Sequence, residues 1–194
     1  KAMAKFENRD ALDKHRKSLQ AEEKNSTKKL VSLCAGSGCG AYGTANVHKT
    51  LMEEISKQGI EDNVEVRLTR CHGFCEKGPI MVIHPEGLFY PQVKQENVPD
   101  IIANSINNNE VVEKFLYKDP VTKKRISHEK DIPFYKLQQR TIFGNNCRID
   151  PTNIDHYLIY DGYLAFEKAL FDMEPEKIIT EIKESGLRGR GGGG

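Results

Sequence analysis

The stretch Leu33-Cys-Ala-Gly-Ser-Gly-Cys-Gly-Ala-Tyr-Gly43 decides how this chain is read, and it carries two suggestions that exclude each other. Gly38-Cys-Gly40-Ala-Tyr-Gly43 fits the G-x-G-x-x-G of a dinucleotide-binding turn, since it follows an apolar run and precedes a helical one. Cys34 and Cys39 bracket the same turn. The loop is built either to cradle a pyrophosphate or to hold a metal.

The flanking sequence supplies the fold. Lys29 to Leu33 reads as a short buried strand, and Thr44 is placed to cap a helix in which Val47, Leu51 and Ile55 recur at i, i+4 and i+8. Gly59 closes that helix. Val64, Val66 and Leu68 alternate with Glu65, Arg67 and Thr69, the pattern of a strand with one buried face, which completes a β-α-β unit. Ile80 to His84 and Leu88 to Val93 read as two further strands joined at Pro85-Glu-Gly87, and Asn97 is placed to cap a helix carrying Val98, Ile101, Ile102 and Ile106. The order β-α-β then β-β-α is that of a thioredoxin-like α/β fold. A right-handed crossover makes the first two strands parallel, and the hairpin adds antiparallel ones.

On that topology the cysteines converge. Cys34 follows the first strand, Cys39 precedes the first helix, and Cys71-His-Gly-Phe-Cys75 follows the second strand. Parallel neighbouring strands end side by side, so both pairs arrive at one edge of the sheet. Four thiolates suit structural zinc or an iron-sulfur cluster. Gly36, Gly38, Gly40, Gly43 and Gly73 surround them, which lets backbone N–H groups approach sulfur and tune a cluster, and a bare zinc site has less need of this. Two pairs from opposing loops suit the two-iron rhomb of [2Fe-2S], one iron to each pair. A helix N-terminus beyond Cys39 is expected to lower that thiol's pKa. The dinucleotide reading requires an acidic residue about 20 positions on, at the end of the second strand. That strand ends Leu68-Thr-Arg70-Cys71, and Glu61 and Asp62 fall before it begins. Zinc clasping a structural module, and a nucleotide-binding oxidoreductase using Gly38 to Gly43, stand as the alternatives.

Composition sets the limits. Twenty-nine basic against twenty-eight acidic residues in 194 leave a formal charge of +1, so no global field draws the chain to nucleic acid or an anionic membrane. No apolar run approaches the roughly 18 to 20 residues of a membrane span, and the charged beginning does not resemble a signal peptide. A cytoplasmic protein is expected, and the odd fifth cysteine argues against a disulfide framework. Cys147 reads as a buried, inert thiol. His72 and His84 read as surface or outer-sphere histidines, because four cysteines already complete a ligand set, and Phe134-Tyr135 reads as packing. Residues 1–28 form a charged helical extension with Phe6, Leu12 and Leu19 as sparse apolar points, solvated or docked on a partner. Residues 29–109 are the thioredoxin-like domain, and residues 110–150 a basic linker lying across a neighbour. Residues 151–194 are helical, with Pro175 opening a helix that Gly186 stops.

With Cys34-x₄-Cys39 and Cys71-x₃-Cys75 on this order, the segment resembles the thioredoxin-like [2Fe-2S] ferredoxins. Ile132-Pro-Phe-Tyr135, Asn146-Cys-Arg-Ile-Asp-Pro151 and Ser185-Gly-Leu-Arg-Gly-Arg-Gly-Gly192 add a second resemblance. They are similar to the NADH-binding flavoprotein subunit of complex I-type dehydrogenases, in the version found in NAD-linked and electron-bifurcating hydrogenases. That resemblance implies that Gly189, Arg190, Gly191 and Gly192 begin an FMN site, with backbone amides and a guanidinium meeting the flavin phosphate. It implies a hetero-oligomer with other redox subunits. It also implies a longer parent in which FMN, NAD(H) and [4Fe-4S] are bound, because the sequence stops at Gly194, before the rest of the flavin pocket, the NADH region and the cysteine-rich segment. The chain itself then reads as an electron-transfer piece, with no catalytic acid, base or nucleophile.

Overall fold

A computed structural model describes residues 6–189 and Gly191. In chain order the main elements are α1 (Arg9–Asn25), β1 (Lys29–Cys34), α2 (Ser37–Ala41), α3 (Thr44–Gln58), β2 (Val64–Thr69), β3 (Met81–His84) and β4 (Leu88–Tyr90). They continue with α4 (Val98–Ile101), β5 (Tyr117–Lys118), β6 (Arg125–Ile126), α5 (Pro133–Lys136), α6 (Ile154–Ile159), α7 (Leu164–Asp172) and α8 (Pro175–Glu184). The chain divides into two compact units, one of residues up to Lys24 with those from Leu158 onward, the other running from Asn25 to Tyr157.

The larger unit holds a four-stranded sheet in the order β2-β1-β3-β4. β1 and β2 are parallel from Lys29↔Val64 to Cys34↔Thr69, while β3 is antiparallel to both β1 and β4. This is the thioredoxin-like arrangement expected from the order of elements. One face is covered by α3 and α4: Val47, Leu51, Ile55, Ile101 and Ile102 pack with Val31, Leu33, Met81, Ile83 and Tyr90. α3 ends as expected, with Gly59 in the left-handed conformation at φ 64. α4 begins on a 3₁₀ turn at Gln95–Asn97 and runs on as a π-helical turn over Ile102–Asn107. Asn97 does not cap it; its side-chain oxygen accepts from the Lys94 N–H instead, at 2.9 Å.

The opposite face is buried as well, and this changes the reading of two strands. Val31, Ser32, Leu33 and Cys34 are all within 1 % of full burial, so β1 is a central strand without alternation. In β2 the expected exposed side is covered: Arg67 and Thr69 are buried, with the Arg67 guanidinium donating to the Arg148 carbonyl at 3.2 Å. The stretch expected as a linker supplies the covering. Tyr117, Ile132 and Tyr135 pack with Ile80, Val82 and Phe89, and Ser127 to Glu129 hydrogen-bond alongside β4 through Phe89 N to Ser127 O and Glu129 N to Gly87 O.

In the smaller unit α1 is amphipathic in an unexpected way. Its buried residue is Arg16, whose guanidinium pairs with the buried carboxylate of Glu167 on α7 and donates to the Gly162 carbonyl. Gln20 donates to the Ile159 carbonyl at 3.0 Å, and Arg9 pairs with Asp172 at 2.9 Å. α1 is therefore not a freely solvated helix; it lies against α7 within this unit. Pro175 opens α8, and Gly186 follows it at φ 65, both as expected. Among the described residues no helix is long and apolar enough to cross a membrane.

Candidate metal centre

The register of the parallel pair builds the centre. Cys34 is the last residue of β1 and faces Thr69, the last of β2, so Cys71 emerges beside the turn that leaves β1. The approach is close enough that a Cβ on Gly36 would stand 3.2 Å from the Cys71 Cβ, and one on Gly38 would stand 3.4 Å from the Cys75 Sγ. All four cysteines that the spacing singled out thus meet at one edge of the sheet. Cys34 and Cys39 are buried, Cys71 is half-buried and Cys75 is exposed.

They meet as two pairs. Cys71 Sγ lies 3.5 Å from Cys75 Sγ, near the separation of about 3.8 Å that two thiolates take on one tetrahedral metal with bonds of about 2.3 Å. The Cys39 thiol donates to Cys34, and this bond, helped by the N–H groups of Gly36 and His72, holds the Cys34 thiol down to about 6 against its burial. Donating its proton to Cys34, together with burial, pushes Cys39 up. One proton is thus shared within the pair, lowering Cys34 and raising Cys39, where a lowered Cys39 was expected. That sharing outweighs the partial charge of a helix end. Cys75 is raised by its bond with Cys71. Among the described residues no group of three or more His, Cys, Asp or Glu side chains is gathered for a single metal ion.

Backbone donors surround the sulfurs. Gly73 N–H donates to Cys71 Sγ at 3.3 Å, the N–H groups of Gly36 and His72 serve Cys34, and that of Ile80 serves Cys39. Of the five loop glycines expected to serve sulfur, Gly36 and Gly73 do, while the N–H groups of Gly40 and Gly43 bond to carbonyls instead; His72 and Ile80 were not legible as donors, because a backbone donor leaves no trace in residue type. Gly78 is needed for a different reason. A Cβ there would stand 2.6 Å from Cys39 Sγ and 3.2 Å from the Cys75 carbonyl, so only a glycine lets this turn pass the centre. Four thiols in two pairs, ringed by N–H groups and by backbone approaching too closely for side chains, fit a negatively charged binuclear group.

Thr44 was expected to cap α3 and does not. Gly43 occupies the cap position, and the Thr44 hydroxyl is shared between the carbonyls of Cys34 and Cys39 at 3.0 and 2.9 Å. The turn proposed for a pyrophosphate is a closed helical one: the N–H groups of Gly40, Tyr42 and Gly43 are spent on the carbonyls of Gly36, Gly38 and Gly40. The second and third glycines of the G-x-G-x-x-G pattern, Gly40 and Gly43, therefore have no N–H to offer a phosphate.

His72 is buried rather than superficial. Its Nε2 is 2.8 Å from the Thr69 hydroxyl, and burial, with Arg140 and His84 nearby, holds it down to about 3. His84 is held down to about 4 by burial, Arg148 and Arg67, with Glu86 opposing. Cys147 is buried as expected, its thiol donating to the Gly144 carbonyl at 3.4 Å and its pKa raised by burial. Gly189 and Gly191 are exposed, while Arg190 and Gly192 lie outside the described residues.

A thioredoxin-like sheet carrying two thiol pairs at the ends of its parallel strands defines a small redox-protein class. A model of the thioredoxin-like [2Fe-2S] ferredoxin family matches residues 20–105. A [2Fe-2S] ferredoxin of Clostridium pasteurianum is 36% identical over 76 residues, which are 39% of this chain and 74% of that protein. The chain belongs to the thioredoxin-like [2Fe-2S] ferredoxin family. Two larger proteins match over shorter stretches. The NADP-reducing hydrogenase subunit HndC of Solidesulfovibrio fructosivorans is 45% identical over 58 residues, covering 29% of this chain and 12% of that protein. An NADH-quinone oxidoreductase subunit of Buchnera aphidicola is 54% identical over 41 residues, covering 21% of this chain and 9% of that protein. The chain is a [2Fe-2S] electron-transfer domain with kinship to subunits of NAD(P)H-linked oxidoreductases.

Proposed function

We propose that Cys34, Cys39, Cys71 and Cys75 hold a [2Fe-2S] cluster, the first two on one iron and the last two on the other. We propose also that the chain relays single electrons within a multi-subunit, NAD(P)H-linked flavoprotein oxidoreductase. The observation that carries this is the pairing itself: two thiol pairs from opposing loops, gathered at one sheet edge by the register of β1 and β2. Zinc in one tetrahedron would ask all four sulfurs to surround one point. When bound, the cluster supplies reversible one-electron transfer. The protein's part is to hold the thiolates, donate N–H groups to them and bury Cys34 and Cys39 while leaving Cys75 at the surface.

The names of the two larger relatives support the wider setting. In it, a flavoprotein parent would take a hydride from NAD(P)H at FMN, and this domain would exchange single electrons with other redox subunits. Gly189, Arg190, Gly191 and Gly192 would open the FMN site by meeting the flavin phosphate with backbone amides and a guanidinium. FMN, NAD(H) and [4Fe-4S] belong to that parent in this reading.

Anaerobically purified protein should be coloured, contain iron and sulfide in equal amounts and give an EPR signal on reduction. Cys39→Ser and Cys75→Ser should each change or abolish the signal, whereas Cys147→Ser should leave it as it is. Colourless protein holding zinc without iron or sulfide would sink the proposal.

A further inference from the structure

Phe74 lies between two of the thiols, and its ring is covered by a turn from far along the chain. Phe134 stacks on it with centroids 4.2 Å apart and planes 10° from parallel, and Tyr135 meets it edge-on at 6.0 Å. Phe134 also stands over Gly73, where a Cβ would come within 3.8 Å of its ring. Ile132 is fully buried and Tyr135 nearly so, both in the same packed cluster as Cys34 and Cys39. Arg140 lies 4.6 Å over the Tyr135 ring and pairs with Glu129 at 3.2 Å, which fastens the turn from its outer side. All of α5 falls outside residues 20–105, the part that matches the ferredoxin family.

One atom in this cover has unfinished chemistry. The Tyr135 hydroxyl is buried and has no hydrogen-bond partner among the described residues. A buried hydroxyl without an acceptor is costly to leave so, and Tyr135 shares its packed cluster with Cys34 and Cys39. No described group, Glu129 and Cys147 included, lies within hydrogen-bond distance of this hydroxyl. The side of Cys34 is where a metal centre would bring acceptor sulfurs.

We propose that α5 is a built-in cover on one side of the metal centre, in which Phe134 keeps water from the Phe74 side of the Cys71–Cys75 loop, with Cys75 itself still at the surface, and the Tyr135 hydroxyl donates a hydrogen bond to sulfur at the centre. The proposal rests on the four-cysteine [2Fe-2S] reading above. The two residues act on the reduced state with opposite sign. Reduction adds negative charge, so excluding water makes reduction harder, and a hydroxyl donor to sulfur makes it easier.

The test uses the full chain, loaded and kept anaerobic, with the midpoint potential followed by EPR and the loss of cluster to an iron chelator followed in the visible. Phe134→Ala should raise the potential and speed cluster loss several-fold. Phe134→Leu keeps the apolar bulk but not the stack, should fold whether or not the alanine variant does, and should shift both readouts in the same sense by less. Tyr135→Phe keeps the ring and should lower the potential, and should remove a deuterium-sensitive component of the Fe–S stretching bands. Normal cluster spectra with unmoved potentials in these variants, or with Phe134 and Tyr135 variants shifted the same way, overturn the cover alone. Wild-type protein without the cluster's spectra overturns the metal reading and the cover with it.

Discussion

At the scale of single residues, the centre depends on positions where a side chain is missing as much as on the thiols. Gly78 is the sharpest case: with a Cβ 2.6 Å from Cys39 Sγ and backbone of Cys75 on its other side, Gly78→Ala has nowhere to relax except by moving the Cys39 thiol or the Cys75 backbone. Overpacking of this kind costs about 1–3 kcal/mol. The variant should therefore bind less iron per chain and melt earlier, and full iron content with an unchanged melting temperature would show that the turn yields more easily than its geometry implies. That the four cysteines gather at one sheet edge was legible from their spacing on the strand order, because close pairs of one residue type are visible in sequence. How the proton is shared within the Cys34–Cys39 pair was not: it depends on the contact between the two thiols and on two backbone N–H groups directed at Cys34, and none of those is written in local sequence.

At the scale of elements, Thr44 ties three of them together. It begins α3, and its hydroxyl reaches back to the carbonyls of Cys34 at the end of β1 and Cys39 within α2. Replacing a buried donor leaves carbonyls unsatisfied, at a cost of about 1–3 kcal/mol. Thr44→Val should lose that much in denaturant unfolding of the loaded protein, and Thr44→Ser should recover most of it. Equal stability of the two variants would mean that the hydroxyl does not matter. In the sequence this residue looked like an ordinary helix cap, since a threonine before an apolar periodic run satisfies the same pattern. The strands, α3 and the hairpin were legible because periodicity and turn residues are local signals. The buried second face of β2 was not, because Glu65, Arg67 and Thr69 read as an exposed side until residues 146–148 are laid across them.

At the scale of the molecule, covering that second face places ionisable groups where they are held neutral. His84 has a folded value of about 4, set by burial and by the cations Arg148 and Arg67, against an ordinary value near 6.5. The unfolded chain therefore takes up a proton as pH falls below about 6.5, while the folded one takes it only near 4. Stability on this account is complete above about 6.5 and is lost progressively down to about 4, with no further loss below. His84→Gln should flatten the pH dependence of the denaturation midpoint across that window relative to the wild type; parallel curves would place the effect elsewhere.

The sequence by itself determined the thioredoxin-like order, the parallel pair, the hairpin and the four cysteines, since each rests on residues close along the chain or on a repeat of residue type. Only the tertiary structure decided three other things. Residues 110–150 are a covering layer as well as a connector, and α1 answers a buried carboxylate with Arg16. A turn around Phe134 packs on Phe74 and Gly73 of the loop that bears Cys71 and Cys75. These depend on partners between about 30 and 150 positions away, and the attraction between two surfaces so far apart in sequence has no period or spacing by which it could be read beforehand.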